Sequence, residues 1–145
     1  MNRLWSMVLL ASVAGCGGGS TLEVADLVPV SGKITLDGKP LPSAQVFLLP
    51  KGTTRGQGAF ASTDESGGFA MKCNNGEDGC PKGEYSIQIS KLMTPDGQPI
   101  PEGQTAADVG AIDIIPPRYK DPDAPQNALN VDGPKTDLVF ALKTR

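Results

Sequence analysis

The chain has 145 residues, enough for one domain, and its 39% hydrophobic and 20% charged residues are the balance of a folded protein. Its 18 glycines and 13 prolines far exceed their usual combined share of about 12%, which argues against a helical bundle and for short strands joined by turns. A net charge of −3, with scattered Lys and Arg, leaves no basic surface for nucleic acid, and the lack of any histidine removes Ser-His-Asp and Cys-His catalysis and His-ligated zinc.

Met1-Asn2-Arg3 opens the chain with one positive charge, and Leu4 to Ala14 is apolar apart from Ser6 and Ser12. This run falls well short of the about 20 residues that a membrane-spanning helix needs, so it reads as the apolar region of a signal peptide. It ends in Val13-Ala14-Gly15-Cys16, an aliphatic residue, two small ones and a cysteine. That pattern looks like a bacterial lipobox. The small residues let a peptidase approach the backbone, and the Cys16 thiolate takes the diacylglyceryl group. Gly17-Gly18-Gly19-Ser20 follows as a flexible tether. The expected organisation is a signal peptide over 1–15, a lipidated Cys16 and tether over 16–27, and one domain over 28–145. The protein is then exported and held to a membrane of the cell envelope by lipid, facing the periplasm or the exterior.

From residue 28 the dominant pattern is period-two alternation of apolar residues, which predicts an all-β domain. Val28, Val30, Ile34 and Leu36 share one parity, Val46 and Leu48 follow, and then Ala59 and Ala61 share a parity with Phe60 on the opposite face. Phe69 alternates with Met71, and Tyr85, Ile87 and Ile89 alternate in turn. Leu129 with Val131, then Leu138, Phe140 and Leu142, complete the series. The expected strands are 29–36, 44–50, 57–63, 68–73, 84–91, 127–131 and 137–143, about seven in all. Asp37-Gly38, Ser66-Gly67-Gly68, Asn75-Gly76, Asp78-Gly79, Asp96-Gly97 and Asp132-Gly133 mark turns that tolerate positive φ. The aromatic residues fall mostly at strand positions, where core packing is the default.

Once Cys16 is set aside, two cysteines remain, Cys73 and Cys80. In an exported protein an even remainder predicts a disulfide between them, closing a loop of turn formers. Within that loop Asn74, Asn75, Glu77 and Asp78 could offer oxygens to calcium, but the spacing of an EF-hand is absent and a polar turn explains the same residues. No metal or other cofactor is expected. Asp121 and Asp123 are the nearest thing to paired carboxylates, and no apolar neighbour is placed to raise either pKa for acid catalysis.

Residues 92–126 break the strand rhythm and hold seven of the thirteen prolines. Ile112 and Ile114-Ile115 could add an edge strand, and Thr105 to Val109 a single helical turn. Long connections of this kind often carry function. Arg118, Tyr119 and Lys120 are its candidate partner contacts, and replacing 97–114 by a short linker should leave the domain folded.

Two blocks of sequence resemble a known family. Val30-Ser31-Gly32-Lys33-Ile34 leads into Asp37-Gly38-Lys39-Pro40-Leu41-Pro42-Ser43-Ala44-Gln45-Val46, then Thr63-Asp64-Glu65-Ser66-Gly67-Gly68-Phe69, then Lys82-Gly83-Glu84-Tyr85. This series is similar to the carboxypeptidase regulatory-like domain. Ile115-Pro116-Pro117-Arg118-Tyr119-Lys120-Asp121-Pro122, with a closing hairpin from Asn130 to Leu142, is similar to the tail of short bacterial lipoproteins carrying that domain alone. The resemblance implies a single Greek-key β-sandwich of transthyretin type and no catalytic activity. The function expected is a non-catalytic structural or protein-interaction module. The alternative is a surface module that binds a glycan or small ligand, for which a contiguous exposed aromatic patch would speak.

Overall fold

A computed structural model describes residues 26–145. The apolar run, Cys16 and the glycine tether lie outside the described residues. The first strands in chain order are β1 (Leu27–Val28), β2 (Val30–Leu36), β3 (Lys39–Pro40), β4 (Gln45–Pro50), β5 (Ala59–Ser62), β6 (Gly68–Ala70) and β7 (Lys72–Cys73). There follow β8 (Cys80–Pro81), β9 (Gly83–Ser90), β10 (Leu92–Met93), β11 (Ile112–Asp113), β12 (Ala128–Val131) and β13 (Lys135–Leu142). Two 3-10 turns, Pro117–Tyr119 and Pro125–Asn127, are the only helical elements among the described residues. The domain is all-β, as the alternation predicts.

Two larger sheets carry the fold. One has the order β12-β9-β4-β5-β7, all antiparallel. The other is built on β2, which pairs with β13 in parallel along one side and with β6 and β3 along the other. The inner residues of both sheets join one buried cluster: Val30, Ile34 and Leu142 from one, Val46, Leu48, Ala59, Ala61, Tyr85, Ile87 and Ile89 from the other. Alternation thus reaches the core in the predicted phase, because each pleat turns every second side chain inward.

Three expectations are corrected. The strand expected over 68–73 is two strands in different sheets: β6 pairs with β2, β7 pairs with β5, and Met71, 1% exposed, is the corner between them. The stretch from Asn130 to Leu142 is no hairpin, since β12 pairs with β9 and β13 crosses to lie parallel to β2. Phe47 and Phe60 point away from the core at 39% exposure each, because their inward neighbours Val46, Leu48, Ala59 and Ala61 occupy the buried parity.

One turn shows the local chemistry well. The Asp64 carboxylate accepts hydrogen bonds from the Ser66 amide (2.8 Å), the Ser66 hydroxyl (2.7 Å) and the Gly68 amide (2.9 Å). Gly67 at φ +77° completes it, and a Cβ there would strike the Ile34 carbonyl oxygen. These bonds hold the Asp64 carboxyl below its ordinary pKa.

Candidate functional site

The proline-rich segment resolves into a protruding hairpin and a strap. Leu92 and Met93 pair with Asp113 and Ile112, so residues 94–111 form the tip of a hairpin. Within the tip, the Thr105 amide and hydroxyl both donate to Asp108, at 2.8 and 2.7 Å, fixing a single turn. Residues 113–127 then run along β9 toward β12. Both 3-10 turns touch β9. Pro117 and Pro125 start these turns, where a missing N–H costs nothing.

Asp113 is the root of the strap. Its carboxylate accepts from the Ser90 hydroxyl (2.7 Å), the Lys120 ammonium (2.8 Å), the Ile115 amide (2.9 Å) and the Lys91 amide (3.1 Å). Burial pushes this carboxyl up, but Lys120, Ser90 and the two amides outweigh it and hold the pKa below the ordinary aspartate value. Beyond it, Ile115 is 2% exposed and belongs to the core cluster. The Gln88 amide donates to the Lys120 carbonyl (2.9 Å), and the Asn127 amide donates to the carbonyls of Arg118 (2.8 Å) and Asp121 (2.7 Å). Ser86 reports the result of this arrangement. Alternation puts it on the outer face of β9, between inward Tyr85 and Ile87, yet it is fully buried and its hydroxyl finds no partner among the described residues.

Arg118, Tyr119 and Lys120 therefore sit together, but their polar groups bind the chain itself. The Arg118 guanidinium donates to the Lys143 carbonyl and lies 5.0 Å from the Tyr119 ring centroid. The Tyr119 hydroxyl accepts from the Lys143 amide, and the Tyr119 ring packs against the core. Lys120 is spent on Asp113. The three residues fasten the end of β13, in one sheet, to β9, in the other. Excision of 97–114 would remove Asp113 and Ile114 from this assembly, so the dispensable part is narrower than the sequence suggests.

Cys73 and Cys80 are both buried and both free, so the expected disulfide is not formed in the structure. The Cys73 thiol donates to the Gly79 carbonyl at 3.4 Å. Burial, and then the neighbouring Cys73, push the Cys80 thiol up to about 11. Burial and then Glu77 raise Cys73. The turn between the strands closes on backbone bonds, with the Cys73 amide donating to the Glu77 carbonyl and the Gly79 amide to the Met71 carbonyl, both at 2.8 Å. The polar side chains in that turn each have a partner within the chain. The Asn75 amide donates to Glu77 at 2.7 Å, the Asn74 amide donates to the Gln57 carbonyl, and Asp78 pairs with Lys72 at 3.5 Å.

A shallow depression of about 600 Å³ lies across β2, β6 and β13, with Ser31, Lys33, Asp64, Phe69, Asp137 and Val139 in its lining. Asp64 is committed to its turn, and the Ser31 hydroxyl donates to the Thr136 carbonyl at 3.3 Å. Neither is poised to move a proton or attack a substrate.

The feature that strand-by-strand reading underrated is the outer face of β4 and β5. Phe47 and Phe60 are direct cross-strand partners, and Leu49 is two residues along β4 at 39% exposure. The alternation of β4 and β5 contained that signal. Comparison of the chain with family models, with curated proteins and with solved structures finds no match in any of the three.

Proposed function

We propose that this chain is an exported lipoprotein of the cell envelope whose domain is a Greek-key, transthyretin-type sandwich of the carboxypeptidase regulatory-like kind, with a non-catalytic structural or protein-interaction role. The observation that carries the reading is Val13-Ala14-Gly15-Cys16, placed directly after an apolar run and before a glycine tether, with strands beginning at Leu27. A cysteine directly after an aliphatic residue and two small ones, at the end of a short apolar run, is the residue that acylation of an exported protein uses. The domain supports the non-catalytic role through the use it makes of its carboxylates. Asp64 caps a turn, Asp113 anchors the strap, and Asp37 accepts from the Thr144 amide (3.0 Å) and hydroxyl (2.7 Å). Groups spent in this way keep depressed pKa values and are not available as acids near neutral pH.

The test is metabolic labelling with a fatty acid in the wild type and in Cys16→Ser. Label that is lost in the variant supports the anchor. Equal label in both removes it. Crosslinking in intact envelopes then identifies what the domain contacts.

A further inference from the structure

β13 is an edge strand, because the order β13-β2-β3 gives it a strand neighbour on one side only. Backbone groups of successive strand residues turn to alternate sides, so every second residue of β13 presents its N–H and C=O to the open edge. Two bonds fix which residues these are. The Leu142 carbonyl accepts from the Asp37 amide at 2.9 Å, so Leu142 turns toward β2. Lys143 turns the other way, and the strap meets it there: its amide donates to the Tyr119 hydroxyl at 2.9 Å and its carbonyl accepts from the Arg118 guanidinium. By the same alternation Val139 and Ala141 face the open edge. Their side chains lie on the exposed face of the sheet, Val139 at 71%. Asp137 is exposed on that face too, beside Val139 in the lining of the depression over β2.

Edge strands are usually blunted by a charge, a proline or a bulge. Here a bulge lies between Lys135 and Leu138, and the strap fills the slot at Lys143. Between them Leu138–Leu142 carries no charge and no proline. The stretch is also complementary to itself. Antiparallel pairing of two copies about Phe140 sets Val139 opposite Ala141, as a pair that exchanges backbone bonds, and Asp137 opposite Lys143. Neither Asp137 nor Lys143 has an ion pair among the described residues. Pairing about Val139 instead would set Lys135 opposite Lys143, so charge selects the Phe140 register. Other charges stand aside from this seam. Lys33 is one strand inside it, as the β2 neighbour of Val139. Lys135 is held by Asp132 at 3.0 Å, with its amide donating to the Pro29 carbonyl. The slot that Asp137 of a second copy needs, at the Lys143 backbone, is the one that Tyr119 and Arg118 occupy.

We propose that the Asp137–Lys143 edge is a self-pairing surface for a second copy of this chain, and that Arg118 and Tyr119 hold it closed. Opening the strap then exposes a run that two copies share across a two-fold axis.

The experiment measures the mass of the full chain, purified in detergent, by light scattering corrected for the micelle. The wild type should have the mass of one chain. Arg118→Ala with Tyr119→Phe, which opens the Lys143 slot and keeps the ring in the core, should double it. Adding Asp137→Lys to that variant sets like charges across the seam and should return the mass to one chain. Adding Lys143→Asp as well restores opposite charges and should bring the dimer back. A wild type that is already a dimer overturns the proposal, since the edge would not be closed. So does an opened variant that melts cooperatively and keeps the mass of one chain. A dimer that ignores Asp137→Lys pairs elsewhere and overturns it too. If the double variant does not fold, Arg118→Ala alone frees the Lys143 carbonyl and should give a weaker dimer with the same response to charge. The mass of one chain in that variant at every concentration also overturns the proposal.

Discussion

The Tyr119 hydroxyl accepts a hydrogen bond of 2.9 Å from the Lys143 amide, across 24 residues of sequence, and so joins the strap packed on β9 to the residue that follows β13. Two hydrogen-bonded sheets pack only through side chains, so a backbone group of β13's end held by the strap is a direct tie between them. Tyr119→Phe should cost about 1 kcal/mol, the net worth of one hydrogen bond, and Tyr119→Ala about 2–3 kcal/mol as the ring also leaves the core. Urea unfolding measures both. If Tyr119→Ala costs no more than an ordinary surface change, the strap does not join the sheets.

Asp113 gives the strap a pH dependence. Its folded pKa lies below its unfolded value, so its contribution is present above the unfolded pKa of about 3.9 and is lost as pH falls through the lower, folded value. Asp113→Asn should cost about 1 kcal/mol at neutral pH, since Lys120 is a third exposed and solvent screens part of the pair. The difference between wild type and variant should shrink in acid. A gap that is constant from pH 7 to pH 2 would rule this account out.

The two buried thiols should be silent in the native state. With Cys80 pushed up to about 11, only about one in a thousand of these groups is thiolate at pH 8, and burial hinders attack further. Iodoacetamide should leave both unmodified until denaturant is added, and then alkylate both without reductant. An intact mass showing neither label in denaturant would mean that Cys73 and Cys80 are bonded to each other.

Gly32 sits where β2 meets the irregular start of β13. A Cβ there would lie 2.2 Å from the Leu138 carbonyl oxygen and 2.7 Å from the Leu138 Cβ, and the backbone oxygen cannot swing aside. Gly32→Ala should therefore push β13 outward and cost about 2–3 kcal/mol, read as a lowered midpoint in thermal melting. A neutral Gly32→Ala would show that β13 is held loosely.

The hairpin tip is the replaceable part of the long connection. Exchanging 95–110 for a short Gly-Ser linker keeps Leu92, Ile112 and Asp113, and loop closure changes with length only slowly, so stability should move by about 1 kcal/mol or less. Extending the cut through residue 114 removes the Asp113 bonds and should cost several times more. Equal effects of the two deletions would show that Asp113 does not secure the strap.

Period-two alternation by itself determined the all-β class, the strand phases and most of the core, because a pleated strand with one wet face must place its apolar side chains at every second position. It also contained the outward orientation of Phe47 and Phe60, a signal that the habit of assigning aromatics to cores obscures. Turn chemistry was equally local: Asp64 with Gly67 defines its hairpin within five residues. Tertiary structure alone decided the rest. Whether β13 folds back on β12 or crosses to β2 depends on contacts more than 90 residues away, such as Phe140 beside Ile34. The split at Met71 depends on which sheet each half of one apolar run can reach. Arg118, Tyr119 and Lys120 carry the same charges and ring whether they face a partner or the chain, and only the position of Lys143 and Asp113 in space assigns them to the chain.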